Sequence, residues 1–446
     1  MASTYLSKTF GSAGNRKKFT ISVWVKRTGL GSVQQIMAVG TYSSTLLDQL
    51  YFNSTDTLNF DNVNTSGTAT STFISNAKFR DTSAWYHIVV KVDSTQASAG
   101  DRVKFYVNGS EISLATETQP AQNYDFAFNN NVLHNIGTRP GQSHYFDGLM
   151  SHFHFTDGYA YDASTFGSTD STTGEWKINT SPSITMGTNG FTILKDANTI
   201  TDQSSNSNDW SVGAGTVSNT EDCPSNVFCT INALNTQISG LTIGNGNTSR
   251  SSNTGDAWRT TYGTLAASSG KFYWEQKVTG SVGSAHYIGI TDQDENRHSN
   301  TNDFENANVS AYCYRGDGGK VTSVSGSTVL TASAGASFTA NDIIGVAMDL
   351  DNQKIYFSKN GTWQASGDPT SGSTGTGSFF NITAGKLYTP ATACYNSGAG
   401  YHYNFGNGYF GTTAISSEGS NASGIGKFEY DVPAGFTAWC TKGLNE

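Results

Sequence analysis

Two antiparallel β-sandwiches, one after the other and without a helical layer, are the fold that this chain predicts. Three observations carry that expectation. Short runs in which apolar and polar residues alternate recur along the chain, with the period of two that a half-buried strand needs. Two of the clearest runs end in Asn-Gly, at Asn108-Gly109 and Asn360-Gly361, the dipeptide that best tolerates the positive φ of a hairpin turn. No stretch keeps a helical period over a useful length, and 446 residues exceed one ordinary core, so two units are expected.

The elements follow in order. In residues 19–26, Phe19, Ile21, Val23 and Val25 share one face. Residues 85–93 repeat the pattern with Ile88, Val90 and Val92, residues 102–109 form an alternating strand ending in Asn-Gly, and residues 148–155 close a first unit spanning 1–165. A Ser/Thr/Asn/Gly-rich bridge spans 166–236. Its Phe191, Ile193 and Trp210 require burial, so it is expected to pack on the first sandwich. The second unit spans 237–446. It carries strands at 270–275 and 287–290, a hairpin in which residues 341–351 turn around Asp351 and Asn352 into 354–363, and further strands at 388–393 and 404–406. Residues 428–441 hold Phe428, Tyr430, Phe436 and Trp439 and are expected to dock rather than fray.

The hairpin of 341–363, with Gly270–Glu275 and Tyr287–Ile290 before it and Tyr388–Ala393 and Asn404–Gly406 after it, resembles the SPRY family of β-sandwich binding modules. The framework of Phe19–Arg27, Trp85–Asp93, Lys104–Gly109 and Tyr145–Phe155 resembles the laminin G and pentraxin branch of the concanavalin-like jelly rolls, over residues 1 to 165. Taken with the bridge Asn189–Phe191 and Ser204–Trp210 and the closing segment Pro433–Asn445, the whole chain resembles structural proteins of tailed bacteriophages, especially marine ones. That resemblance implies a virion component exposed at the particle surface, as a tail or head appendage in contact with other virion proteins. Polar β modules of this kind are expected in several copies or as a homo-oligomer, and with no secretory signal the chain is expected to be made in the host cytoplasm.

Composition narrows the function classes. Charged residues are 14% of the chain against roughly 25% in ordinary soluble domains, so hydroxyls and amides carry the surface. The net charge of -9 argues against a phosphate-binding face and hence against nucleic acid as a partner. Residues 1–8 lack the apolar core of a secretory signal, and no run approaches a membrane span, so neither export nor membrane insertion is expected. Five cysteines, odd in number and without CxxC spacing, predict free and mostly buried thiols, although a short Cys223 to Cys229 bridge is conceivable.

The sequence carries no recognisable catalytic pattern. A glycoside hydrolase needs paired carboxylates, and the nearest approach, Glu111-Ile112-Ser113, lacks the second acid. No nucleophile elbow, His-Glu-x-x-His pair or Walker loop occurs. His152 and His154, with His144 and Asp147 nearby, suggest a metal, but Phe153 and Phe155 supply the core face and leave the histidines outward at a domain or subunit contact. Asp292–Asn296 and Asp349–Asn352 are rich in the oxygens that calcium takes, but the second follows from the hairpin and the first reads as solvated carboxylates, so calcium is disfavoured at both. No metal or other cofactor is expected. Arg315-Gly316-Asp317 spells an integrin-binding tripeptide, a chance match that comes easily in a Gly-rich chain.

Binding by loops remains. The SPRY resemblance implies a ligand surface made by loops at one end of the sandwich, here Asp292–Phe304, Tyr314–Lys320 and Asn360–Gln364. The candidate ligand residues are Asp294, Asn296, Arg297, His298, Tyr314, Arg315, Asp317 and Trp363, whose rings, amides and charges suit a sugar or a protein. The expectation is a non-enzymatic adhesion protein that binds host-surface glycan or a receptor. Its rivals are a decoration protein that binds only other virion proteins and, third, a glycan depolymerase.

Overall fold

The computed structural model describes residues 3–41, 46–64, 66, 68–141, 144–196, 199–234, 240–252, 257–280, 282–292, 304, 310–324 and 327–445. Strands make up 44% of the chain and helix 4%, so the protein is all-β. It divides into two compact units, Met1–Asn219 and Thr220–Glu446. The stretch 166–236, read from sequence as one bridge, is therefore shared: residues to 219 belong to the first unit, while Phe228, Cys229 and Ile231 are buried in the second.

In the first unit, among the described residues, an eight-stranded sheet faces a six-stranded one. The six-stranded sheet runs, edge to edge, Phe191–Ile193, Gly148–Asp157, Lys18–Arg27, Trp85–Asp93, Val103–Val107 and Ser110–Glu111. Period-two alternation sends Phe19, Ile21, Val23 and Val25 into the space between the sheets, where they join Phe52, Phe60, Phe73, Phe105, Phe126 and Phe128. Phe191 and Ile193 pair with Phe155 and Phe153 and enter the same core, with Trp210 against Phe191 at 5.0 Å. Each such ring contributes roughly 2–3 kcal/mol by leaving water.

The outer face of that sheet is covered as well. Thr20 and Thr156 hydroxyls both donate to the Tyr159 carbonyl, and Tyr161 N–H donates back to Thr20 Oγ1. Under this cover Trp176 donates its indole N–H to His87 Nδ1 at 3.0 Å, which leaves the imidazole proton on Nε2, 2.9 Å from Ser22 Oγ. Burial and the neighbouring His154 and His152 hold His87 down at about 3, so the ring is neutral. His152 and His154 do lie on the outer face, and both are buried there, His154 against Thr192 and Phe166. A polar face survives burial here because its hydroxyls and rings are hydrogen-bonded.

The second unit repeats the plan. Its larger sheet is ordered Leu241–Gly244, Ser249–Ser252, Gly400–Asn404, Lys271–Thr279, Ile343–Asp349, Lys354–Lys359 and Thr362–Trp363, and Thr437–Ala438 adds a parallel pairing on Lys271–Thr279. The facing sheet is ordered Arg259–Tyr262, Tyr388–Cys394, His286–Asp292, Ala311–Arg315, Lys320–Val324 and Ser327–Thr331. Phe272, Trp274, Val346, Met348 and Phe357 meet Ile288, Ile290, Tyr312 and Tyr314 between them.

The outer face of the larger sheet carries Glu275, fully buried. It accepts the Glu429 N–H at 2.9 Å, the Tyr430 N–H at 2.9 Å, the Asn404 amide at 3.1 Å and the Tyr273 hydroxyl at 3.1 Å. Burial pushes its carboxyl up to about 7 against the pull of those donors. The segment this carboxylate fastens is docked throughout, with Phe428, Val432 and Phe436 buried on Tyr273 and Tyr356. Near its end the chain is stitched to the start of the unit: Cys229 N–H donates to Trp439 O at 2.8 Å and Thr441 N–H to Val227 O at 2.9 Å. All five thiols are free, and all but Cys223 are buried.

Candidate functional site

Three loops at one end of the second unit are laced into a single rim. The first closes the hairpin between Ala311–Arg315 and Lys320–Val324. Arg315 N–H donates to Gly319 O at 2.8 Å, Gly318 N–H returns to Arg315 O at 3.1 Å, and Asp317 Oδ1 accepts the Gly319 N–H at 2.9 Å. Gly318 has φ 88° and its Cα lies against the Gly335 carbonyl, so a side chain there meets both backbone strain and a collision.

The second loop, 332–338, is tied to the first by Gly335 N–H to Gly318 O at 2.8 Å and Phe338 N–H to Gly316 O at 3.0 Å. The third, 360–367, reaches the second through Gln364 Oε1, which accepts the Ala336 N–H at 2.8 Å. Lys359 Nζ donates to Ser337 O at 2.8 Å and pairs with Asp342 at 3.1 Å. Burial alone would raise Asp342, but the Thr339 N–H, the Asn360 amide and the Lys359 ammonium outweigh it and hold the carboxyl below its usual range.

Ser333, Ala365 and Ser366 each adopt φ 53°, a left-handed conformation that costs a non-glycine residue about 1 kcal/mol or more. Such strain is held only where neighbours over-determine the backbone, as the lacing does here. The rim thus offers hydroxyls, amides and two partly open ion pairs on a fixed frame, which suits recognition by shape and hydrogen bonding.

The residues expected from sequence divide among several places. Asp294, Asn296, Arg297 and His298 lie outside the described residues. Arg315 and Asp317 stand on the rim and are joined to each other at 2.9 Å, with Asp317 the more exposed, at 43% against 16%. The Arg-Gly-Asp tripeptide is therefore closed on itself. Tyr314 is not a ligand residue by position: it is fully buried among Phe338, Phe357 and Phe379, and its hydroxyl donates to the Ala336 carbonyl. It supports the rim from below. Trp363 is half-buried and packs toward Tyr273 on the outer layer, so it caps that layer while its neighbour Gln364 reaches the rim.

Gln364 falls at the end of an expected loop without being among the candidate ligand residues, and sequence reasoning missed Lys359 and the whole 332–338 loop. The small-residue run Ala332–Ser337 gives no hint of contact with Gln364, because that contact is made only in the folded unit. Of the oxygen-rich stretch 292–296 only Asp292 is among the described residues, and it pairs with Lys386 at 2.8 Å; in the second stretch Asp349 pairs with Lys271 at 3.0 Å and Asp351 accepts the Gly270 N–H. Among the described residues no group of three or more His, Cys, Asp or Glu is placed to hold a metal.

Residues 2–164 match the Laminin_G_3 family of the concanavalin A-like lectin/glucanases superfamily, and residues 271–408 match the SPRY domain family. No curated protein matches the chain. Among solved structures, similarity extends to the SPRY domain of human HERC1, at 19% identity and TM-score 0.27, covering 36% of this chain and 91% of that one. It extends also to the TRIM65 PSpry domain, at 10% identity and TM-score 0.28, covering 40% and 91%. A third is the native heptameric SAP-like pentraxin from Limulus polyphemus, at 14% identity and TM-score 0.28, covering 36% and 72%.

Proposed function

We infer that this chain, which carries a concanavalin-like domain over residues 2–164 and a SPRY domain over 271–408, is a non-enzymatic surface protein of a phage particle. As a tail or head appendage it grips host-surface glycan or protein through the loop rim of the second unit. Domains of both kinds are carbohydrate- or protein-binding modules. The observation that carries the reading is the rim itself, three loops joined by backbone and amide hydrogen bonds around strained residues. Several copies on one particle would add avidity without new chemistry.

Retention of the full chain on a glycan array or on host cells is the test. The expected result is a loss of at least about tenfold when Asp317→Ala and Gln364→Ala are combined, the scale of one lost polar anchor. Undiminished retention of that double variant would remove the rim from the reading.

One observation favours the decoration role. The edge strand Ser327–Thr331 exposes Val329 at 58% and Leu330 at 51%, and an open apolar edge suits a protein partner. Tight binding to purified capsids or tails, without retention on cells or glycans, selects that alternative. Release of reducing ends from host glycan would select a depolymerase.

A further inference from the structure

The first unit holds a pocket of about 300 Å³, at the lower end of ligand-sized cavities. Its floor follows from strand register. His154 and Thr192 stand opposite each other on neighbouring strands, so when Phe153 and Phe155 enter the core these two face outward together, with His154 Nδ1 2.8 Å from Thr192 Oγ1. Nδ1 is thereby engaged, and Nε2 is the ring nitrogen left for a ligand. Burial and the neighbouring His152 and Lys195 hold the ring neutral, at about 3.

One wall, Thr180–Met186, presents Pro182, Ile184 and Met186 beside the Thr180 and Ser181 hydroxyls, and is fastened where Thr185 N–H donates to Tyr161 Oη at 2.9 Å. The opposite wall is Lys195 with Gln203–Ser205. This wall is preorganised by Asp202, whose two oxygens accept from Thr192 N, Ser204 N, Ser204 Oγ and Asn208 N at 2.8–2.9 Å. Gln203 is engaged on both sides, donating to Asp196 and accepting from the Lys195 N–H.

With Asp202 and Gln203 spent on the wall itself, the lining residues left with polar groups for a ligand are Lys195, Thr180, Ser181, Ser205 and His154. Among the described residues no carboxylate pairs with the Lys195 ammonium. One cation without an arginine fork or an amide nest fits a single negative charge better than a phosphate dianion. The hydroxyls call for hydroxyls in return, and the apolar wall offers a surface to C–H groups. We propose that this pocket binds a polyhydroxylated carboxylate, the chemistry of a uronic-acid unit whether free or carried on a glycan. All its lining residues except His154 lie beyond the residues that match the concanavalin-like family, and the proposal is independent of the rim.

The test is calorimetric or ligand-observed NMR titration of the full chain with glucuronate, glucose and acetate. Glucuronate is expected to bind at least about tenfold more tightly than either of the others. Lys195→Met should bring glucuronate to the level of glucose, and Ser205→Leu, which fills the pocket, should abolish both. Asp317→Ala on the rim should change nothing, so the two sites are read separately. An oligosaccharide with a uronate at its end, bound more tightly than free glucuronate, identifies a glycan as the source; equal affinity identifies the free acid. The proposal is overturned if glucuronate fails to bind, if glucose or acetate matches it, or if Lys195→Met keeps the preference.

Discussion

The hairpin Trp85–Val107 of the first unit and the hairpin Ile343–Lys359 of the second agree down to single hydrogen bonds. Lys18 pairs with Asp93 at 3.1 Å across one strand pair, and Lys271 pairs with Asp349 at 3.0 Å across the other, each at the directly opposed register position. Asn108 and Asn360 have φ 48° and 49°, and each uses its side-chain oxygen to accept the N–H of the residue whose carbonyl its own N–H meets, His87 and Ile343. Gly109 and Gly361 both have φ 80°, and each lies under an aromatic ring, Trp176 and Tyr430.

What differs is the layer laid over this common frame. In the first unit neutral imidazoles sit among hydroxyls and indoles; in the second a carboxylate gathers four donors from the covering segment. The same hairpin thus accepts two chemistries of cover, because its backbone is satisfied internally and leaves the outer side chains free to vary.

The carboxylate gives the largest expected effect. Glu275→Ala strands four donors and should destabilise the second unit by about 4 kcal/mol in denaturant titration, with the first unit unchanged. Next come Gly109→Ala and Gly361→Ala, each expected to cost its own unit about 3 kcal/mol through left-handed strain and collision with the ring above. Loss in one unit and indifference in the other would break the equivalence of the hairpins.

Acidification should then separate the units. His87 and His154 have folded pKa values below the unfolded value of 6.5, so the stability they confer is complete above pH 6.5 and is lost as pH falls toward 3, about 2 kcal/mol each by pH 5. Glu275 has a folded value above its unfolded 4.5, so its contribution is greatest below pH 4.5 and is lost as pH rises to about 7. Asp48, also raised to about 7 by burial, offsets part of the histidine effect in the first unit, and His286, lowered to about 4, offsets part of the Glu275 effect in the second. Hydrogen exchange of peptides from each unit at pH 7.5 and 5 should find the first loosened more than the second. Smallest of all, Asp317→Ala should alter stability by less than about 1 kcal/mol, since its ion pair is partly solvated, so any loss of binding is a loss at the surface.

Much of this frame is legible in the sequence. Alternation marks the strands of both hairpins, and Asn-Gly marks the turn that follows each second strand, into Ser110–Glu111 and Thr362–Trp363, because both signals are local. The cover is not legible in that way. Lys18–Arg27 reads as half-buried, yet Thr20 and Ser22 are buried because residues more than a hundred positions later fold over them. Tyr314 illustrates the same limit at the rim. A tyrosine near a glycine-rich turn reads alike whether its ring points inward or out, and the rings that enclose it come from 338, 357 and 379. Arg315, Asp317 and Gln364 all fall in loops that the sequence marks, while the tie from Gln364 to Ala336 depends on a partner that only folding brings near.

The stitch between Val227 and Thr441 has a bearing on biogenesis. Synthesised from one end, the second unit has its opening strands ready long before the segment that seals them, so Phe228, Tyr273 and Tyr356 wait uncovered until residues 428–441 have left the ribosome. A nascent chain held in that condition is vulnerable to clumping with its neighbours on a polysome. Rejoining the unit so that 441 leads directly into 227, with new ends opened elsewhere, should let it close earlier and raise the soluble yield.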